Sequence, residues 1–555
     1  MKVQVNNLTY DLSQNDFLAS GGEAHIYQKN DLIFKIYNDP TKVIPSGKIG
    51  ELAELYSLDN IIIPLDLVFK DKPVGYTMSF IDGSESLCKL FTKSYKTRKN
   101  ISQNMSMNLV RIMQETLKHI HDHKILIVDL NEMNFLTNSI FSDVFFIDVD
   151  SYQTPGYPAT ALMESIRDRH SIHNQFNQGT DWFAFAIVTF QLLIGIHPYK
   201  GRHPQFKGID ERMQNNISVF NNDVTIPRVC FPIDSIPKVY RDWYKAVLEN
   251  GLRDIPPDDQ SKMLNILPIK TITKSSTGKL EITELFECEF PIINYINYNG
   301  KEIFIGYNNI LYDRKTKIKS SVENVIFYKE TPIEIYIMGG ILYLRNGKTR
   351  SEIHMILTST EYMIYDNRLY IKEKDKIYEV LFTGSTHSIK AINKLVNNVM
   401  DKSTKMYPGV AIQNMLGSYY ISIFPKSFEC YQIRLTDLNG YKIIDAQYNK
   451  ELLIIYGVKK GEYYRFSYTV NYNIKNSLSL INKSNTNYDS INTIVLDKSL
   501  CVNINKQDEL NLFSIKDSKI ITLKDKLIHG GMQLFTDGSK VLFIENKTLY
   551  QLKMI

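Results

Sequence analysis

Only five cysteines occur in 555 residues, Cys88, Cys230, Cys288, Cys430 and Cys501, and no two of them form a C-x-x-C pair. Their scatter argues against a disulfide framework or a cysteine-built zinc site, and it implies reduced thiols in a cytoplasmic protein. No run of about 18 apolar residues occurs, so no transmembrane helix is expected. The opening MKVQVNNLTYDLSQ lacks an apolar h-region, so no signal peptide is expected either. The net charge of +5 is mild for this length and points to neither nucleic acid nor a membrane as a partner. Long low-complexity linkers are also missing. What remains is an ordinary soluble composition, with a length that suggests two to four domains.

Composition changes along the chain. Residues 101–125, 181–195 and 239–250 carry helical periodicity, and such patterns nearly vanish after about residue 275. The polar, turn-rich stretch PPDDQSKMLNILPIKTITKSSTGK marks the change, near 260–280. This divides the chain into a mixed α+β part over 1–265 and an all-β part over 275–555.

The first part is organised around residues 125–153, ILIVDLNEMNFLTNSIFSDVFFIDVDSYQ. Two apolar runs end in Asp129 with Asn134, and in Asp148. Asn134 lies five residues after Asp129, and Asp148 fourteen after Asn134. Hard oxygen ligands at strand ends suit Mg²⁺ that shares its shell with phosphate. The stretch resembles the catalytic loop and metal loop of protein kinases, D-L-x-x-x-N followed by D-F-G.

Further landmarks follow the kinase order. In LASGGEAHIY, 18–27, Gly21 takes the second position of the Gly-rich loop and Ala24 the third, with Gly22 between them. Small residues there let backbone amides approach phosphate, although a Gly-Gly between strands is also a common hairpin turn. Lys35 sits in LIFKIY like the Lys of V-A-I-K, and the alternative is a lysine on the solvent face of an edge strand. The helix SGKIGELAELYSL, 46–58, offers Glu51 and Glu54 as its partner. The resemblance favours Glu51. Lys48 is a further candidate for phosphate or glutamate. Met78 matches the gatekeeper, and Ser79–Ile81 the hinge that offers backbone groups to adenine. In GTDWFAFAIVTFQLLIGIHPYKG, 179–201, Asp181 is expected to brace the catalytic-loop backbone, with the helix behind it as core. The segment Tyr240–Arg253, with Asp254-Ile255-Pro256 after it, resembles the last kinase helix and its Arg-x-x-P ending.

Three departures stand out. Val128 replaces the Arg before the catalytic Asp, Asn131 replaces the catalytic-loop Lys, and D-F-G reads Asp148-Val149-Asp150. No A-P-E triplet is evident near Pro155 or Pro158. Asp150 can add to a metal shell or cap a turn. His119, His121 and His123, at alternate positions on a helix end, read as capping groups and not as a metal site.

The resemblance implies a bilobal fold, with an N-lobe over about 1–82 and a C-lobe over about 83–265. It implies an ATP/Mg²⁺-dependent protein kinase acting on Ser/Thr hydroxyls. Lys35, Glu51 and Asp129 are then catalytic, and Asn134 and Asp148 hold metal. Gly21, Gly22, Ala24, Lys35, Met78, Ser79 and Ile81 hold the nucleotide. The alternative is a pseudokinase scaffold, as the altered D-V-D and the missing Arg and Lys suggest.

In the second part, seven segments share one design, an apolar strand, a turn, then a strand with Leu-Tyr or a similar pair. They are 303–313, 335–347, 362–373, 419–433, 452–466, 500–515 and 541–554. A mean spacing of about 40 residues suggests a β-propeller of six or seven blades. No W-D or kelch signature is present, and two stacked sandwiches are the alternative. The gap between the third and fourth segments leaves the count open. This part is expected to recruit a protein substrate or partner.

Overall fold

The computed structural model describes residues 1–171, 175–259, 263, 280–355, 359, 361–471, 477–486, 491–496, 500–505, 507–515, 520–537 and 540–554. Most of the polar stretch at 260–280 lies outside them. Two compact units divide within that stretch.

The first unit begins with a seven-stranded antiparallel sheet. Its strands are β1 (Lys2–Val5), β2 (Leu8–Asp11), β3 (Phe17–Ser20), β4 (Ala24–Lys29), β5 (Leu32–Tyr37), β6 (Leu67–Phe69) and β7 (Pro73–Ser79). They lie in the order β2-β1-β6-β7-β5-β4-β3. β5 is therefore an interior strand, with β7 and β4 as neighbours, and both its faces are covered. Phe34 and Ile36 join Val3, Val5, Phe17 and Val68 on one face. Tyr37 joins Ala24, Ile44 and Tyr76 on the other, with Met78 packed beside them. Lys35, in β5, has no route to a solvent face and is buried. The edge-strand alternative is thus excluded.

Helices follow the sheet. α1 (Ser46–Leu52) is short and tightens into a 3-10 turn over Ala53–Ser57. α2 (Lys93–Arg98) and α3 (Gln103–Asp122) come next. α3 buries Leu109, Val110, Met113, Leu117 and Ile120 along one stripe, as its periodicity demands. α4 (Gln178–Ile194) is buried on every side from Asp181 to Ile194 and forms the centre of the helical core. The chain leaves α4 at Gly195, whose φ of +92° is open to glycine at little cost. A β-carbon there would also lie 2.8 Å from the carbonyl of Phe91. α5 (Ile209–Gln214) and α6 (Lys238–Glu249) close the unit, and α6 packs on α4 through Trp243 and Tyr244.

His197 in the Gly195-x-His197-Pro198-Tyr199 segment has a structural role. Its Nδ1 accepts the amide of Tyr199 at 3.2 Å, which leaves Nε2 to donate to the Ser165 carbonyl at 2.9 Å. The bond from the Tyr199 amide requires the neutral ring. Burial pushes its pKa down to about 3, and Lys200 adds to the shift. An unfolded histidine takes up a proton below about 6.5. Between there and about 3 the unfolded chain holds the extra proton, so stability falls as pH falls. The expected slope from this group is about 1.4 kcal/mol per pH unit. His197→Gln keeps a donor for Ser165 and removes the titration. Denaturant melts from pH 7 to 4, followed by tryptophan fluorescence, should show a flatter acid decline in that variant.

Among the described residues the second unit is strand throughout, apart from one 3-10 turn at Thr436–Leu438. Its strands form seven four-stranded antiparallel sheets. Six are built from consecutive strands. In the seventh, Leu280–Glu287 at the start of the unit pairs with Thr548–Met554 at its end, beside Lys540–Glu545 and Gln533–Asp537. Each of the seven segments singled out in the sequence is a hairpin within one of these sheets. The gap between the third and fourth is filled by Lys376–Ser385, Ser388–Asn398, Thr404–Tyr407 and Val410–Met415. The apolar clusters join sheets adjacent in sequence. Ile333 and Ile335 pack with Leu369 and Ile371, and Ile412 and Ile421 with Leu453 and Ile455. Another cluster joins Val502 and Leu510 to Leu280 and Leu552.

All five cysteines are free thiols. No helix among the described residues is long and apolar enough to cross a membrane.

Candidate active site

Alternation along β5 places Lys35 and Tyr37 on one face. Lys35 is in register with Tyr76 on β7 and Ile26 on β4, and Tyr37 with Ala24 on β4. Ala24, Lys35, Tyr37, Tyr76 and Met78 thereby share one side of the sheet. Gly21 and Gly22 lie at the exposed tip between β3 and β4, and the Gly21 amide closes the turn on the Ala24 carbonyl at 2.9 Å. Ser79 ends β7 and is exposed, and Ile81 is half-buried just beyond it.

The metal-loop candidates arrive on a small sheet made of Glu85–Ser86, Phe135–Thr137 and Val144–Phe146. The stretch before Asp129 is not a strand. Only Leu126 bridges, to Gln153. Asn134 opens the Phe135–Thr137 strand, and its Nδ2 donates to the Asp129 carbonyl at 3.0 Å. The Asn134 carbonyl in turn accepts the amide of Ile147 at 3.0 Å, which ties this turn to the residue before Asp148. Asp148 adopts left-handed backbone, φ +62°, and starts the 3-10 turn Val149–Ser151. That reversal sends Asp150 inward.

Lys35 Nζ lies 2.6 Å from Asp148 Oδ1 and 2.8 Å from both oxygens of Asp150. Tyr76 donates its hydroxyl to Asp150 at 2.6 Å, and Tyr37 also donates to this carboxylate. Burial opposes the Lys35 charge, but the two carboxylates outweigh it and hold the ammonium above the usual lysine range. Burial also opposes the Asp150 charge, yet Lys35 and the two hydroxyls keep that carboxyl below the ordinary range. The Asp148 carboxyl is raised by burial, with Lys35 opposing and the Asp150 charge adding.

The expected Lys35–Glu51 pair is not formed. Glu51 Oε2 accepts the amide of Gly156 at 3.0 Å, while the Lys35 ammonium is satisfied by Asp148 and Asp150. Asp148 and Asp150 already meet the Lys35 ammonium, so it does not need a third carboxylate from α1. Lys48, on the same helix, is buried, and its Nζ donates to the Pro158 carbonyl at 3.4 Å. Asn131, in the place of the catalytic-loop Lys, is turned inward and accepts the amide of Met133 at 2.8 Å.

Asp129 is buried, and its Oδ1 accepts the amide of Met163 at 2.7 Å. Burial raises its pKa, with Asn131 and the Met163 amide opposing. Asp181 braces this loop from beneath. Its oxygens accept the amides of Ile127 and Val128 at 2.9 Å each, and His121 Nε2 lies 3.0 Å away. Sequence reasoning assigned His121 only to helix capping. Also missed was Asp168, which binds Arg253 through two bonds of 2.6 and 2.9 Å and so anchors the Arg-x-x-P ending. Tyr37 and Tyr76 were missed as well. The period of two along LIFKIY puts Tyr37 beside Lys35, but nothing local links Tyr76 or Asp150 to them.

No protein-family model matches the chain. It is 25% identical over 167 residues to Kinase suppressor of Ras A of Caenorhabditis elegans, covering 26% of this chain and 21% of that one. It is 21% identical over 271 residues to a Dictyostelium discoideum protein described as a probable serine/threonine-protein kinase, covering 41% of this chain and 55% of the other. The chain thus spans between about a fifth and about a half of these curated relatives. A solved kinase of the Cydia pomonella granulovirus aligns over 43% of this chain and 87% of its own, at 15% identity and a TM-score of 0.32. The two curated relatives support a kinase-like fold.

Proposed function

We propose that the first unit is an ATP- and Mg²⁺-dependent protein kinase acting on Ser/Thr hydroxyls. The observation that supports this best is that Lys35 on β5 meets Asp148, whose neighbour Ile147 is tied to Asn134 and through it to Asp129. The donor set fits the metal, since Mg²⁺ takes one or two protein oxygens and completes its shell with phosphate and water. Asn134 Oδ1 and Asp148 are such donors, as the Asn134 amide nitrogen is already engaged by the Asp129 carbonyl. The ion, when bound, neutralises charge on the transferring phosphoryl group. Lys35 orients the α/β-phosphates. The loop at Gly21–Ala24 covers them, and Met78, Ser79 and Ile81 border the adenine. Asp129 accepts the proton of the attacking hydroxyl as its oxygen bonds to the γ-phosphorus and the bond to the ADP oxygen breaks. Positioning and charge neutralisation carry such a reaction.

A second reading, a pseudokinase scaffold, is favoured by one observation: Asp129 Oδ1 is occupied by the Met163 amide. The two readings part in one experiment. The full chain is incubated with γ-labelled ATP and Mg²⁺ beside Asp129→Asn, and labelled residues are mapped. Labelled Ser or Thr in the wild type and almost none in the variant is the kinase outcome. Equal labelling, or no labelling in either, overturns it.

For the second unit the reading is a closed seven-bladed β-propeller that recruits a protein substrate or partner. Seven four-stranded sheets with adjacent faces packed together support it, as does the pairing of the unit's first strand with its last. Such pairing removes the free edges of an open array. Deleting Leu280–Glu287 should then loosen the whole unit, and a thermal melt unchanged by that deletion would contradict closure.

A further inference from the structure

The Lys35 site contains one carboxylate more than phosphate and metal handling needs. Asp148 is partly exposed, with 37% of its side chain accessible. Asp150 is not exposed. Only 6% of its side chain is accessible, and both its oxygens are consumed by Lys35, Tyr37 and Tyr76. A carboxylate so enclosed has no room for a metal shell. It has what a clamp needs: two hydroxyl donors from neighbouring strands fix its position, and its two oxygens grip one ammonium. Glu51 is meanwhile committed to the Gly156 amide.

We infer that Asp150, held by the hydroxyls of Tyr37 and Tyr76, is the residue that positions Lys35, in the place that the resemblance gives to a glutamate on α1. The inference rests on the kinase reading for its consequence in catalysis, but the clamp itself is a property of the fold. Its members lie on β5, on β7 and in the turn after Asp148. None of them lies on α1, although α1 packs against the turn that carries Asp150. When Asp148 turns to metal and phosphate, Asp150 keeps the ammonium aimed at the α/β-phosphates. Asp150 is a positioning residue. It touches Lys35 and not the reacting atoms.

The test reads Lys35 directly. The full chain is treated at pH 8 with trinitrobenzenesulfonate, and labelling of each lysine is followed by peptide mass spectrometry. An ammonium that loses its buried carboxylate deprotonates more readily, and one pKa unit is a tenfold rise in the reactive amine. Asp150→Asn is expected to raise the Lys35 labelling rate at least about tenfold, and Tyr37→Phe to raise it less. Glu51→Gln should leave it within about twofold. Buried Lys96, on α2, reports global opening in the same digest and should label at the wild-type rate in every variant. With MgATP, Asp150→Asn should lower kcat about a hundredfold while KM changes less than about threefold, because placement and not binding is lost. Lys35 labelling unchanged in Asp150→Asn, or raised as much in Glu51→Gln, overturns the clamp. Should Asp150→Asn unfold the unit, as fast Lys96 labelling would reveal, Tyr37→Phe decides the matter by the same readout. A wild type that transfers no phosphate defeats the kinase reading alone, and the labelling rates still decide the clamp.

Discussion

On the proposed kinase reading, Asp148→Asn should lower kcat/KM for phosphoryl transfer by about a thousandfold, or ~4 kcal/mol of barrier, with the fold retained. The carboxylate is partly exposed and sits at a left-handed turn between a short strand and a 3-10 turn, so it contributes little to the core. Its Oδ1 meets Lys35 at 2.6 Å. Asparagine keeps the volume and one acceptor but loses the charge that Lys35 meets and that the proposed metal would require. Lys35→Met should cost transfer comparably, for the converse reason. It also leaves Asp150 buried without its cation, so some stability is lost with it. Steady-state rates with a peptide substrate, beside a thermal melt of each variant, separate the two effects. Loss of transfer below about tenfold in Asp148→Asn would remove Asp148 from the phosphate chemistry.

Asp181→Ala should destabilise the first unit by about 3–5 kcal/mol. The side chain is fully buried and takes the amides of Ile127 and Val128, with His121 on the same oxygen as Ile127. Alanine strands two backbone donors and a ring nitrogen in a dry core. Val128, whose amide Asp181 holds, is itself strained. Its φ is +63°, a left-handed conformation that a β-branched residue adopts only under constraint. Such strain is of order 1–3 kcal/mol, and the bond from Asp181 to the Val128 amide is what holds it. Both tryptophans of the chain, Trp182 and Trp243, lie in this unit, so denaturant melts read by tryptophan fluorescence isolate its transition. A midpoint shift under about 1 kcal/mol equivalent would show that Asp181 does not carry the loop.

Several elements could be read from the letters because their causes are local. The stripe of α3 and the all-round apolarity of α4 follow from helical period, and each β hairpin in the second unit from short apolar runs broken by Asn and Gly. Spacing likewise sufficed to bring Asp129, Asn134 and Asp148 to one loop region, because a hairpin of short strands joins them. Asp181 could be placed under the catalytic loop through the kinase resemblance of the segment around it.

Other features have no local cause. Whether Lys35 faced solvent or a core depended on β5 lying between β7 and β4, which is a matter of sheet order. Which carboxylate met it depended on a left-handed turn at Asp148 that swings Asp150 inward, and on Tyr76 arriving from a strand 39 residues further along the chain than Tyr37. Glu51 matched the kinase spacing, but burial of one cation is settled by whichever anions are nearest in space, and two were already there. The sheet count of the second unit was equally non-local, since its seventh sheet pairs Leu280–Glu287 with Thr548–Met554. Sequence by itself determined periodicity, and with it helices, hairpins and the loop that carries the acids. Tertiary structure decided charge pairing, because desolvation makes a buried charge find a partner across the fold and not along the chain.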